Sequence, residues 1–490
     1  MESNLVLTLS FIVYSAGIIG FGLYSTRLRK KTEDDFVLAN RELGPWAASL
    51  SASASSESGW VMLGLVGEAY AFGYSALWII PGIAVGYLFN WFVIAERLRQ
   101  SSHETGAITL TQFIMHRFGR KSVALRVIPV LIITAAMLGY VAAQMNAAGK
   151  AFQATFELDY TWGVLVGAAI ILTYTVTGGF RAICWTDIIQ ASFMVIALLV
   201  MPIIIMGKLG GYSSFLSAMN EGNPDLLAWA SGNIGFAGLG FVVGLLGIGL
   251  GYPGMPHVLS RFMAAKNFAT IRKAGMISMV WFVLVYFGAI FFGLFARIYF
   301  PDLPDPEQAL PIAVNEFLPP ILGGFVIAAI VSAICSTADS QLIVISSTLS
   351  RDVILPLKKL IGLSTQESHD YASTQRWDRW ILVLLAIVSV GFALSENRVI
   401  FDFVLYSWSA LGASFGPVVI LGLMWKGTTK AGVIAGMLVG VGVTVIWRNI
   451  PTLKGALYEL VPAFVLAFVV VLVVSTLTSS TAHERNPRTP

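Results

Sequence analysis

The chain has 490 residues, of which 56% are hydrophobic and 12% charged, with a net charge of +4 and two cysteines. Soluble globular domains carry charge on about a quarter of their residues. Half that share, with a mean hydropathy of +0.77, reads as an integral membrane protein and excludes a soluble catalytic domain, a nucleic-acid binder and a disulfide scaffold.

Thirteen apolar runs follow one another, at about 5–24, 45–72, 75–96, 124–152, 160–178, 187–207, 233–260, 271–299, 320–349, 379–396, 402–424, 429–447 and 456–476. Each is long enough to cross a bilayer as a helix. The first follows "MESN", which lacks a basic stretch, and reads as a retained helix instead of a signal peptide. Loops such as "RLRQSSHETGAITLTQFIMHRFGRKSVALR", "GGFRAICW", "SRFMAAKNFATIRK" and "KGTTK" hold most of the Lys and Arg. They alternate with basic-poor loops such as "FELDY", "FPDLPDPEQALP" and "SENRVIFD". Basic loops stay in the cytoplasm, so an odd number of spans places the N-terminus outside and the C-terminus inside.

The second run contains "SASASSESGW", with Glu57 near its centre. Serine hydroxyls can bond back to their own helix, but a carboxylate at the bilayer centre costs roughly 2.5–3.5 kcal/mol on insertion scales. Glu57 should therefore face protein or a cavity; Glu68 lies closer to the outer mouth. The seventh run holds "GLLGIGLGYPGMPH", equally rich in helix-breaking residues. Five runs separate the starts of these two segments, the spacing of a five-helix unit repeated with inverted topology after one leading helix. Interrupted helices in corresponding positions point to a binding site at the membrane midplane, as in secondary transporters.

The ninth run reads "VIAAIVSAICSTADSQLIVISSTLS". Ser332, Ser336, Ser340 and Ser347 fall on one helical face, flanked by Thr337 and Asp339. Neutral and anionic oxygens of this kind suit a hard cation such as sodium; a serine-lined packing seam is the alternative. Asp187, at the start of the sixth run, reads either as a helix cap at the cytoplasmic surface or as part of a second cation site. Gly249, Gly251 and Gly254 spell G-x-G-x-x-G without a strand around them and mark a helix interruption, not a dinucleotide site. Gly432, Gly436 and Gly440 predict a close helix contact. No P-loop and no paired-histidine metal motif occurs, and Cys184 and Cys335 are packing residues, so an enzyme or an ATP-driven pump is not expected.

"SLSASASSESGW", "GGFRAICWTDIIQASF", "GLGYPGMPHVLSRFMA", "SAICSTADSQLIVISS" and "SWSALGASFGPVVILGLMWKGTTKAGVIAGM" together resemble the sodium/solute symporter family, through nearly the whole chain. The resemblance implies an all-α integral membrane protein of the LeuT type, with an inverted five-plus-five helix repeat and about 13 transmembrane helices. One transmembrane domain would span 1–490: a leading helix and cytoplasmic loop at 1–44, repeats at 45–207 and 233–424, and two last helices with a short cytoplasmic tail at 425–490. It implies a sodium site from the carbonyls of Ala54, Glu57 and Ala333 with the hydroxyls of Ser336 and Thr337. It also implies a second cation site near Asp187, Ser336, Asp339 and Ser340. Solute contacts would come from Ser58, Gly59, Trp60, Tyr140, Tyr252 and Pro256, and inner gating from Arg41; Gln144, one turn beyond Tyr140, is added from its position alone. Two positions depart from the family's proline-transporting branch, where Ser56 stands in place of an aspartate and Ile248 in place of a tryptophan.

The expectation is a sodium-coupled importer of a small organic solute, proline or a similar amino acid, working by alternating access in a bacterial inner membrane. It would need no cofactor beyond Na⁺ as coupling ion and no nucleic acid. A proton-coupled symporter, a symporter of an organic acid, sugar or vitamin, and a non-transporting solute sensor are the alternatives.

Overall fold

Proline in the first turn or a short polar side chain at the cap starts several of the helices. In a computed structural model of the chain, residues 2–25, 27, 32–222, 224–360, 371–395 and 399–484 are described. Parts of four expected loops, at 28–31, 361–370, 396–398 and 485–490, and the last residue of the tenth run lie outside the described residues.

Helix α1 (Glu2–Ser25) precedes a short α2 (Glu33–Leu38) capped by Thr32. Pro45 opens α3 (Pro45–Ser56), which stops at Glu57; the chain resumes as a wide π-type turn over Trp60–Leu65 and as α4 (Val66–Phe72). Next come α5 (Ile79–Phe89), α6 (Ala95–Thr105), α7 (Leu110–Phe118), capped by Thr109, and α8 (Ala124–Phe156). The fifth and sixth runs lie in α9 (Tyr160–Lys208), two helices joined at Gly179, whose φ of 66° and ψ of 179° are non-helical and favour a residue without Cβ. The "GGFRAICW" stretch holds this break at Gly179, where the sequence pattern indicated a loop, and is helical beyond it.

After α10 (Tyr212–Gly222), the seventh run divides as expected: α11 (Gly235–Gly247), tight 3₁₀ turns over Ile248–Gly254, then α12 (Pro256–Ala264). There follow α13 (Phe268–Tyr299), capped by Asn267, α14 (Ala309–Phe317), α15 (Pro320–Leu349), α16 (Leu355–Leu360), α17 (Tyr371–Ala393) and α18 (Ile400–Met424). The chain closes with α19 (Lys430–Asn449), α20 (Pro451–Ala456) and α21 (Leu460–Glu484).

Among the described residues, ten helices are long and apolar enough to cross a membrane, so the count of thirteen is not reached by that measure. The shortfall has local causes: the second and third runs merge over Trp60–Thr105, Tyr160–Thr173 is short, and α17 is not among the ten.

Helix α15 is the spine. It packs against α1, α3, α8, α9 and α17, and 83% of its most apolar window is buried inside the protein. Helix α3 is enclosed by α9, α12, α13 and α15, and α18 lies across the break at Ile248–Gly254. The glycines predicted to mark close contacts do so: Gly432 and Gly436 face Ser475 and Val471 of α21, and Gly440 faces the Ala413 carbonyl of α18. In the seventh run, a Cβ on Gly249 would strike the carbonyl of Gly82 on α5. Gly249→Ala is therefore expected to overpack this crossing by about 1–3 kcal/mol and to lower the unfolding midpoint of the purified protein. A wild-type midpoint would contradict the close approach.

Candidate functional site

Backbone groups freed at membrane depth must find partners inside the protein. The break after α3 shows where they go. Glu57 leaves the helix with φ −111° and ψ 18°. The Gly59 N–H donates to Gln144 Oε1 at 3.0 Å, and the Trp60 N–H donates to Ser58 Oγ at 3.0 Å. Gly59 has no room for a side chain: a Cβ would lie 2.8 Å from Ala147 Cβ and 2.9 Å from Ile334 Cγ1.

The carbonyls at the end of α3 face α15. Ser336 Oγ donates to Ala54 O at 3.1 Å and to Ala333 O at 3.1 Å, while Thr337 Oγ1 donates to Ala54 O at 3.2 Å and Ser55 O at 3.0 Å. Four of the five residues implied for a sodium site are thus brought together with their oxygens converging between two helices. The fifth, Glu57, is implied through its carbonyl; its side chain turns toward α5, where Oε1 accepts from the Tyr87 hydroxyl. The serine stripe on α15 divides: Ser332 bonds Tyr14 of α1 at 2.6 Å, Ser336 faces α3, and Ser347 lies beside Pro256 in a small cavity of about 20 Å³.

The remaining serines of the second run serve neighbouring helices more than their own. Ser49 bonds Ser278 of α13 at 2.8 Å, Ser51 donates to Asp187 Oδ2 at 2.6 Å, and Ser55 bonds Ser340 at 2.9 Å; only Ser56 bonds back, to Ser53 O at 3.0 Å.

Around Glu57 stands an aromatic cluster. The rings of Tyr87 and Tyr252 meet edge to face at 4.7 Å, Tyr252 and Trp408 at 4.9 Å, and Trp60 stacks on Phe401 at 5.8 Å. Tyr140 is fully buried, with its hydroxyl directed at Ser56 O, 3.5 Å away. Trp60, Tyr140, Ile248, Tyr252 and Trp408 line a void of about 10 Å³. Ile248 and Leu405 also line a cavity of about 550 Å³ that reaches Glu68, Phe401 and Asp402. A vestibule therefore descends from the side of the 300–318 segment to a tightly packed centre, and Glu68 lines it. Pro256 starts α12 and lines the small cavity with Ser347, not the void between the aromatic rings.

The opposite side is sealed. Arg41 Nη1 donates to Ser102 Oγ at 3.2 Å and Met263 O at 3.3 Å, and Nη2 to Ala107 O at 2.8 Å. Ala39, Asn40 and Arg41 all have positive φ, of 50°, 53° and 57°. Non-glycine residues in this region cost on the order of 1–3 kcal/mol each, so the turn that aims Arg41 is held by its bonds.

The second cation cluster contains a cation of its own. Asp187 is fully buried in the middle of α9, which rules out the surface-cap alternative. Its Oδ2 lies 3.4 Å from Arg261 Nη2; Arg261 Nη2 also donates to Ser340 Oγ at 2.5 Å, and its Nε to Ser51 Oγ at 2.9 Å. Ser340 Oγ is 3.2 Å from Asp339 Oδ1. Asp187, Asp339 and Ser340 thus gather around a guanidinium that sits 4.8 Å over the Phe180 ring. Arg261 and Tyr87 escaped sequence reasoning, since a lone basic residue near a span end and a lone tyrosine inside an apolar run carry no spacing signal.

Discontinuous helices around a buried centre, open on one side and sealed on the other, define the architecture of a secondary transporter. Comparison with known proteins agrees. The family model for the sodium:solute symporter family matches residues 36–440. A sodium/proline symporter of Escherichia coli (strain K12) is 35% identical over 97% of this chain and 94% of the relative, and one from Staphylococcus aureus (strain JH9) is 35% identical over 98% and 94%. Among solved structures, a substrate-bound, outward-open Na⁺-coupled sialic acid symporter superposes with a TM-score of 0.78 at 17% identity, covering 96% of this chain and 98% of that one. The chain belongs to the sodium:solute symporter family, has the LeuT-type fold with its inverted repeat, and is a transporter, not an enzyme.

Removing one partner of a buried ion pair costs about 3–5 kcal/mol, because the other charge is left uncompensated. Arg261→Met is expected to lower the unfolding midpoint strongly, with partial recovery in Arg261→Met/Asp187→Asn; additive losses in the double variant would contradict the pairing.

Proposed function

We propose that this protein imports a small organic solute, proline or a similar amino acid, together with sodium, by alternating access. The observation that carries this reading is the convergence of the Ser336 and Thr337 hydroxyls on the Ala54 carbonyl across the gap between α3 and α15. A hard cation entering there would find neutral oxygens already pointing inward, and would replace hydrogen bonds that now hold the two helices together. The 35% identity to sodium/proline symporters over almost the whole chain supports both the ion and the solute class.

In this reading the sodium site comprises Ala54, Glu57 through its carbonyl, Ala333, Ser336 and Thr337. Ser58, Gly59, Trp60, Tyr140, Gln144, Tyr252 and Pro256 line the solute path. Asp187, Asp339 and Ser340 keep Arg261 as their resident cation instead of taking up a second ion. The repeats run over 45–207 and 233–424, between a leading segment at 1–44 and two closing helices within 425–490. The 550 Å³ vestibule opens to the outside and Arg41 closes the cytoplasmic side, with the N-terminus outside and the C-terminus inside.

One sodium ion crossing about 100 mV supplies roughly 2.3 kcal/mol, and a tenfold ion gradient about 1.4. Together these sustain on the order of 500-fold accumulation of a neutral solute.

Two measurements test this. In proteoliposomes, Ser336→Ala/Thr337→Ala should raise the sodium concentration for half-maximal uptake of labelled L-proline at least tenfold; unchanged sodium dependence would contradict the assignment. Arg41→Ala should speed alkylation several-fold at a Val344→Cys reporter, a position that lines the small cavity beside Ser347 and Pro256, and an unchanged rate would remove Arg41 from the gate.

A further inference from the structure

Glu57 is the least accounted-for charge at the centre of the protein. It is fully buried. Its Oε1 accepts the Tyr87 hydroxyl, while its Oε2 accepts no hydrogen bond, and no ion pair joins it to a Lys, Arg or His among the described residues. Three other interior acids are held by a cation: Glu307 by Lys150, Asp187 by Arg261 and Asp378 by Arg351. A carboxylate at this depth needs a cation partner or must bind a proton.

The surroundings favour an organic cation. The Tyr87, Tyr252 and Trp408 rings form a continuous edge-to-face chain beside the carboxylate, and aromatic faces attract ammonium groups. Ser56, Tyr87, Asn90 and Tyr252 line a void of about 10 Å³ at this point, the seed of a larger pocket once the aromatics part. The oxygens suited to sodium lie elsewhere, on α15, where Ser336 and Thr337 hold the carbonyls of Ala54 and Ser55.

Two buried donors stand ready for the opposite charge. Gln144 uses Oε1 for the Gly59 N–H, which leaves its Nε2 without an acceptor, and Trp60 Nε1 has none either. An unfilled acceptor and two unfilled donors around one interruption match a molecule with an ammonium at one end and a carboxylate at the other.

We propose that the Glu57 side chain is the counter-ion for the ammonium group of a zwitterionic amino acid, whose carboxylate is received by Gln144 Nε2 and Trp60 Nε1. This rests on the symport reading and narrows its solute to zwitterions. It excludes sugars, vitamins without an ammonium and simple organic acids.

The test is thermal unfolding of the full chain in nanodiscs, with and without sodium, titrated with L-proline, pyrrolidine or cyclopentanecarboxylate, which hold both charges, the ammonium alone and the carboxylate alone. In sodium, L-proline should stabilise wild type at a concentration at least tenfold lower than cyclopentanecarboxylate. Glu57→Gln should weaken L-proline at least tenfold and abolish its advantage over cyclopentanecarboxylate, whereas Glu57→Asp should retain the preference with lower affinity. Binding of cyclopentanecarboxylate to wild type as tightly as L-proline, or unchanged L-proline affinity in Glu57→Gln, would overturn the role of Glu57. Sodium's own stabilisation of the solute-free protein reads the ion cradle separately, so a protein indifferent to sodium would instead contradict the symport reading beneath it.

Discussion

Everything at the centre of this protein follows from one constraint: a helix broken inside the membrane must hand its freed backbone groups to other helices. At Glu57 the carbonyls of α3 pass to the hydroxyls of Ser336 and Thr337, and the Gly59 N–H passes to Gln144. Neither partner is an apolar packing contact. Hydroxyls and an amide can exchange a carbonyl or N–H for an ion or a solute at little cost, because each alternative restores the bond that was lost. The seventh run solves the same problem differently. Its tight turns over Ile248–Gly254 are held by Trp408, whose Nε1 donates to Ile248 O at 3.0 Å, and by Asn90, which donates to Tyr252 O at 3.2 Å.

Coupling between ion and solute then needs no long path. Residues 54 and 55 present oxygens to α15, residue 57 presents a carboxylate to the aromatic cluster, and residue 59 is pinned to α8, all within two helical turns. A cation that draws α3 toward α15 fixes the position of the carboxylate and of the Trp60 indole three residues further on. The sealed side is poised as well. The left-handed turn at Ala39, Asn40 and Arg41 is held by the Arg41 bonds to Ser102, Met263 and Ala107, which offset its backbone strain.

The legible part of the sequence was the part written in composition and breaks. Runs of apolar residues fixed the helical membrane class, and the serine-rich and glycine-rich interruptions marked both broken helices at their true positions. The α15 hydroxyls were visible because serine at four-residue spacing in an apolar helix is uncommon. Other features lay beyond such reasoning. The helix that resumes directly after the Gly179 break was hidden, since a Gly-Gly pair and an arginine locally suggest a longer loop. Asp187 read equally as a cap or a cation ligand because its partner, Arg261, lies 74 positions away. The direction of the Glu57 side chain was hidden for the same reason: once a helix breaks, the 100° step per residue no longer says which neighbour a side chain meets.

If a single interruption joins the ion cradle to the solute pocket, their binding energies must be linked, and linkage is reciprocal. The direct measurement is calorimetric titration of the purified protein with sodium at zero and saturating L-proline, and with L-proline at zero and saturating sodium. The account predicts that each ligand tightens the other by one common factor of at least tenfold. Solute affinity that is the same in sodium and in potassium would contradict it.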